Sequence, residues 1–231
     1  MIPLRDSEAA RRLTPANTLL IILNIAAFAL ELELAYQGRR ALLFYAMIPA
    51  LVAHPPWLHP LHAARVLATL ITSTFLHAGP LHIAGNMLYL LIFGPAVEGR
   101  MGAPRYLFFY LLAGIAAGLG MVAMGPESRV PVIGASGAIA GVLGAYFVLY
   151  PRGRITTILP LFVFIRFVEV PAVFYLLAWF AVQLYAGISA GAHGPMMGGV
   201  AWWAHVGGFL FGMAFAPLLV HRPQAKPRRR R

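Results

Sequence analysis

Four side chains able to do acyl-transfer chemistry stand inside otherwise apolar stretches of this chain. One stretch contains His82-Ile-Ala-Gly-Asn86, a second Gly134-Ala135-Ser136-Gly137, and a third Ala204-His205-Val206-Gly207-Gly208. Serine is a nucleophile when a neighbouring base takes its proton, histidine is the usual base, and histidine or asparagine N–H groups can steady an oxyanion. In a lipid-embedded helix a charged side chain costs about 2.5–3.5 kcal/mol on insertion scales, and an ionisable residue such as histidine there marks a functional site by default. The combination points to hydrolysis inside a bilayer.

The elements that would position these residues follow from composition. Of 231 residues, 60% are hydrophobic and 11% charged. Soluble domains carry about 25% charged residues, so the chain reads as a polytopic membrane protein. Spans are expected at about 17–36, 82–99, 104–125, 136–150, 170–188 and 201–220, each near the length a bilayer requires. Residues 41–79, broken by Pro49, Pro55, Pro56 and Pro60, read as a long loop with short interfacial helices. Residues 155–169, interrupted by Pro160, Arg166 and Glu169, read as an interfacial or re-entrant piece. The fold class expected is an all-α bundle of six transmembrane helices. Residues 1–16 form a cytoplasmic segment, 17–220 the six-span domain, and 221–231 a basic cytoplasmic tail. There is no cysteine, which removes disulfides and thiolate metal sites.

The net charge of +11 raises nucleic-acid binding as an alternative. Topology explains it better. With the N-terminus inside, 14 of the 18 basic residues fall on the cytoplasmic side, leaving Arg39, Arg40, Arg65 and Arg129 outside. This is the asymmetry of the positive-inside rule. It predicts an N-in, C-in protein of the inner (cytoplasmic) membrane, with no nucleic-acid partner. The second, fourth and sixth spans then run in one direction, and counting about 1.5 Å per residue puts His82, Ser136 and His205 at one depth. His82 and Asn86 are four apart, on one helix face. Gly137, Gly141 and Gly144, with Gly208 and Gly212, allow two helix backbones to meet. The seven acidic residues are read as lying at or outside the span ends, so no carboxylate is expected beside His205.

Each feature has a plainer explanation when taken alone. A serine between glycines is commonly a helix cap, a buried histidine a proton relay, and an asparagine a bond between helices. A transporter or proton channel would also use buried histidines, but no internal repeat or continuous charged path is found.

At these residues the chain resembles the rhomboid family of intramembrane serine proteases, from about Thr72 to Gly212. The run from Phe75 through His77 and His82 to Met87 is similar to the family's second-span motif. Glu98-Gly99-Arg100 resembles its Glu-x-Arg element, and the Ser136 and His205 motifs match the nucleophile and base motifs. The resemblance implies a catalytic Ser136–His205 dyad without an acidic third member. It implies an oxyanion hole of His82, Asn86 and the Ser136 backbone N–H. It implies structural roles for His77, Glu98, Arg100, Gly134, Gly137 and Gly208. It further implies cleavage of transmembrane protein substrates, near their outer ends and next to small residues, with neither cofactor nor metal. A non-proteolytic relative would lack Ser136 or His205. Many members carry an aromatic residue four positions after the nucleophile, where this chain has Ala140. Either the base is then less rigidly held, or another aromatic, such as Trp202 or Trp203, covers it.

Overall fold

The computed structural model describes residues 2–8, 14–36, 42–54, 60–161, 164–193 and 201–220. The basic tail, Arg39 and Arg40, and most of the Gly-rich loop before the last span lie outside the described residues. Helices α1 (Pro15–Tyr36), α2 (Leu42–Tyr45), α3 (Pro49–Ala53) and α4 (Pro60–Thr72) come first. A single 3-10 turn (Ser73–Phe75) leads on to α5 (Pro80–Met101), α6 (Ala103–Met124), α7 (Ser136–Leu149), α8 (Ala172–His193) and α9 (Trp202–Leu219). Five of these, α1, α5, α6, α8 and α9, are long and apolar enough to cross a membrane. α7 is apolar but has only 14 residues, about 21 Å of helix.

The all-α expectation needs one correction. Residues 155–169, read as an interfacial or re-entrant piece, are β-strand rather than helix where described. They lie in a hairpin of β2 (Arg154–Leu161) and β3 (Phe164–Pro171), and β1 (Ile2–Asp6) pairs antiparallel with β2 to complete a three-stranded sheet in the order β1-β2-β3. β-branched residues such as Ile155, Thr156, Thr157 and Ile158 suit a pleated surface. The strand that completes the sheet comes from the far end of the sequence, where residues 1–16 were read only as a tail.

Side-chain contacts give the relative direction of the helices. On α5, His82 lies against Gly134 just before α7, Phe93 against Tyr146, and Ala96 accepts a hydrogen bond from the Tyr150 hydroxyl, so α5 and α7 are parallel. Gly208 faces Gly137 and Gly212 faces Gly141, so α9 is parallel to both. α6 runs against α7, with Ala117 at Gly137 and Ala113 at Gly141. α8 runs against α9, with Gly187 beside Trp203 and Phe180 stacked on Phe209.

The α7–α9 contact is backbone on backbone. A Cβ at Gly208 would run into the carbonyl oxygen of Gly137, one at Gly212 into that of Gly141, and one at Gly144 into that of Phe209. Without a hydrophobic driving force between helices in lipid, association relies on such close packing.

α1 is built inside out. Its buried residues are Ala16, Asn17, Leu20, Asn24 and Glu31, while Ile22, Ile25, Leu30 and Leu32 are each more than half exposed. Asn17, Asn24 and Glu31 are seven apart, two helical turns, and so share one stripe. Each is used. The Glu98 carboxylate accepts the Ala16 and Asn17 N–H groups at 3.1 and 2.7 Å. These N–H groups belong to the first turn, which has no intrahelical acceptors and attracts negative charge. Asn17 also donates to the Leu90 carbonyl and accepts from the Tyr106 hydroxyl at 2.8 Å. Asn24 donates to the Leu20 carbonyl. Near the other end, Glu31 accepts the His77 backbone N–H through both oxygens, at 3.2 and 3.1 Å. The acidic residues therefore do not all avoid the spans, because Glu31 is buried within α1 and holds the segment leading into α5.

The described parts of the long loop, 42–54 and 60–75, form short helices, as expected, and they brace the approach to α7. Met47 and Val132 pair as an antiparallel bridge, the Ala50 N–H donates to Ser128, and the Gly134 N–H donates to the Ser73 carbonyl at 2.9 Å.

Two outcomes follow. Gly212→Val places carbon against the Gly141 carbonyl, and such overpacking costs about 1–3 kcal/mol or more. Its thermal unfolding midpoint in detergent drops, whereas Gly85→Ala, which meets nothing within 4 Å, leaves the midpoint unchanged. The second concerns His77. Burial, then the neighbouring His82, lowers its imidazole from 6.5 to about 4. Between those values the unfolded chain takes up a proton that the folded chain refuses, so stability falls as pH drops from 6.5 toward 4. The slope contributed is up to about 1.4 kcal/mol per pH unit. The groups facing His77 are the Glu31 carboxylate on α1, the Phe28 ring and the His82 ring on α5. Melting His77→Phe in parallel with the parent gives a flatter midpoint-against-pH curve in that window. Parallel curves would mean that His77 does not carry the effect.

Candidate active site

Ser136 is the first residue of α7, and the chain reaches it through an extended segment and a tight turn. Gly134 has φ +124°, where other side chains are strained, and a Cβ there would come within 2.8 Å of the His82 ring. Both facts require glycine at this position. The Gly137, Gly141 and Gly144 face brings α9 against α7, and at the same end of that seam Ser136 meets His205. The Ser136 hydroxyl and His205 Nε2 are 2.7 Å apart, well within the range expected of a nucleophile and its base.

His205 is buried and held from three sides. Its Nδ1 lies 2.7 Å from Gln183 Oε1 on α8. The Trp179 ring lies 5.8 Å away in a tilted arrangement, and Trp202 approaches edge-on at 6.3 Å. Trp202 was among the aromatics expected to cover the base in place of Ala140. Trp203 instead packs at Gly187. Gln183 and Trp179 were not anticipated. A lone amide in an apolar helix is the kind of polar intrusion that singled out Ser136, so a signal for Gln183 was present in the sequence. The signal for Trp179 was not, because tryptophans are common in membrane helices.

His82 stands in the first turn of α5, its ring against Gly134. The Ala78 N–H donates to its Nδ1 at 3.3 Å. That bond assigns the lone pair to Nδ1 and the proton to Nε2, and it is Nε2 that lies toward Gly134. Asn86 lies one turn further along α5, buried, and its Nδ2 has no hydrogen-bond partner among the described residues. The Ser136 and Gly137 N–H groups, in the first turn of α7, have no intrahelical acceptors. A small pocket of about 20 Å³, room for a single water, adjoins Ser136, lined in part by Ser73, Thr74, Gly114, Gly118 and Ile133.

The remaining motif residues lie apart from the serine. Glu98 and Arg100 are at the far end of α5, Glu98 capping α1 and the Arg100 guanidinium 5.6 Å over the Tyr150 ring. His77 packs edge-on against His82 at 5.2 Å and anchors to Glu31 through its backbone. Gly137 and Gly208 meet backbone to backbone in the α7–α9 seam. The structure thus gathers Ser136, His205, His82 and Gly134 at one end of the bundle and places Glu98 and Arg100 at the other.

Comparison with known proteins identifies the family. A family profile for the rhomboid domain matches residues 64–222. The putative rhomboid protease YdcA of Bacillus subtilis is 42% identical over 77 residues, 33% of this chain and 38% of the relative. The human presenilin-associated rhomboid-like protein, mitochondrial, is 32% identical over 163 residues, 65% of this chain and 38% of the relative. The mitochondrial rhomboid protein 1 of Saccharomyces cerevisiae is 30% identical over 167 residues, 71% of this chain and 44% of the relative. The chain covers less than half the length of each of these relatives. With a matched profile spanning most of its length and apolar helices to cross a bilayer, this chain is a multi-pass membrane protein of the rhomboid family.

Proposed function

We propose that the protein is an intramembrane serine endopeptidase that cleaves transmembrane segments of other membrane proteins, with Ser136 as nucleophile and His205 as base. The observation that carries this reading is the 2.7 Å contact between the Ser136 hydroxyl and His205 Nε2. His205 accepts the hydroxyl proton as Ser136 Oγ attacks the scissile carbonyl. The oxyanion that forms receives hydrogen bonds from His82 Nε2–H, Asn86 Nδ2–H and the Ser136 backbone N–H. His205 then passes its proton to the departing amine, which leaves an acyl group on Ser136. Water, deprotonated by His205, attacks that ester and releases the second product. The pocket beside Ser136 gives this water room, with Ser73 and Thr74 as polar lining.

Six spans carry the domain in this reading, α7 being the fourth and shortest. Its length, about 21 Å against a core of about 30 Å, sinks Ser136 below one membrane face. That face is the outer one of the inner membrane, because the exposed Arg100, Arg105, Arg152 and Arg154 gather at the opposite end of the bundle. A substrate helix enters from the lipid past α8. Helix-breaking residues expose its backbone, since an intact helix satisfies its own carbonyls.

Ser136→Ala and His205→Ala each abolish cleavage of a transmembrane substrate in proteoliposomes and leave the unfolding midpoint intact. A serine-directed fluorophosphonate labels the parent and not Ser136→Ala. Asn86→Ala lowers turnover by about 10²–10³, the usual effect of losing one oxyanion donor. Wild-type turnover in Ser136→Ala would exclude the dyad. For orientation, Glu127→Cys reacts with an impermeant thiol reagent added outside spheroplasts, and Arg152→Cys reacts only after lysis. The reverse pattern would invert the topology.

A further inference from the structure

The proposed mechanism needs His205 in one tautomer: Nε2 must carry the lone pair that accepts the Ser136 proton, so the ring proton must sit on Nδ1. A neutral imidazole has two tautomers, and the partner of one nitrogen decides which is populated. In a bundle with no carboxylate described beside the ring, something neutral must make that choice.

We infer that Gln183 on α8 is a positioning residue for the base, a neutral third member that holds His205 in the Nδ1–H tautomer. The inference rests on the Ser136–His205 reading above. Its support is the direction of the Gln183 amide. Gln183 Nε2 lies 3.3 Å from the carbonyl oxygen of Trp179, one turn back on the same helix. A carbonyl only accepts, so the amide nitrogen must face it. The amide oxygen is then the atom turned to His205, at 2.7 Å from Nδ1. An amide oxygen only accepts, so Nδ1 must donate. Nε2 is left with its lone pair toward Ser136. Each bond in the series Trp179 carbonyl, Gln183 amide, His205 imidazole and Ser136 hydroxyl fixes the polarity of the next.

Packing supports the same role. Gln183 is 6% exposed, so water does not compete for its oxygen. The Trp179 and Trp202 rings limit rotation of the imidazole, and Phe180 stacked on Phe209 at 4.7 Å fixes the register of α8 against α9. An amide carries no charge, so it orders the ring without the cost of burying a carboxylate. The base is therefore correctly protonated only while α8 lies against α9. The helix past which the substrate is proposed to enter is the helix that orders the catalytic ring.

The test compares Gln183→Met, of equal length but without the acceptor, with the parent protein in proteoliposomes. The expected result is a kcat lower by about 10- to 100-fold with KM unchanged. This is a smaller loss than the ~10⁴ seen when a charged orienting group is replaced and the wrong tautomer results. ¹⁵N NMR of ring-labelled histidine, resolved by difference against His205→Ala, is expected to show Nδ1 protonated in the parent and a tautomer mixture in Gln183→Met. Unchanged kcat, or the same tautomer in both proteins, would overturn the role of Gln183. Should Gln183→Met not fold, an unprotonated Nδ1 in the parent spectrum would overturn it equally. Ser136→Ala separates the two readings. If it still cleaves, the dyad itself fails; if it is inactive while Gln183→Met turns over at the parent rate, only the positioning role fails.

Discussion

The structure depends on one contact, the meeting of α7 and α9 without side chains between them. Gly144 on one helix and Gly208 and Gly212 on the other bring backbone atoms together where a Cβ would collide with a carbonyl oxygen, while a Cβ at Gly137 or Gly141 would meet Ala117 or Ala113 of α6. In lipid, close packing is what holds helices in register. It also sets a length. A hydroxyl on the first turn of α7 can reach an imidazole on the first turn of α9 only if the axes are near one another, and serine has one carbon of reach. The glycine seam is thus the structural condition for the 2.7 Å Ser136–His205 contact.

Beside that seam α1 treats polarity in reverse of a soluble helix. α1 turns leucines and isoleucines outward and asparagines and a glutamate inward. The inward groups are costly in lipid unless paired, and pairing places them where they order the rest. Glu98 fixes one end of α1 against the end of α5. Glu31 fixes the other end against the His77 backbone. The second attachment matters to the site. His77 packs on His82, and the Ala78 N–H, next in sequence, sets the His82 tautomer. A carboxylate on α1 thereby supports the turn from which His82 reaches Gly134.

Two histidines in one site carry opposite assignments. His82 has its lone pair on Nδ1 and its proton on Nε2, while His205 has the proton on Nδ1 and the lone pair on Nε2. A donor and an acceptor are what an oxyanion site and a base respectively require. Neither assignment comes from the histidine itself. A backbone N–H makes the first and an amide oxygen makes the second.

Much of this was legible in the sequence. Apolar length and proline placement gave the helices within a few residues of where they lie. The i, i+4 spacing of His82 and Asn86, and the glycine ladders of the fourth and sixth spans, follow from helical periodicity, which is local. The same locality hid the rest. The β2–β3 hairpin was missed because its apolar, proline-interrupted residues suit an interface equally well, and its third strand is about 150 residues distant. Asn17, Asn24 and Glu31 were visible as a seven-residue repeat, but only packing shows that this stripe faces inward. Gln183 was a single amide in an apolar run. What it does depends on the register of α8 against α9, set by Phe180 on Phe209 and by Gly187 beside Trp203. The sequence by itself determined which groups could do chemistry and which helix faces carried them. The tertiary structure decided which nitrogen of each histidine holds the proton, because a tautomer is chosen by a partner brought from another segment.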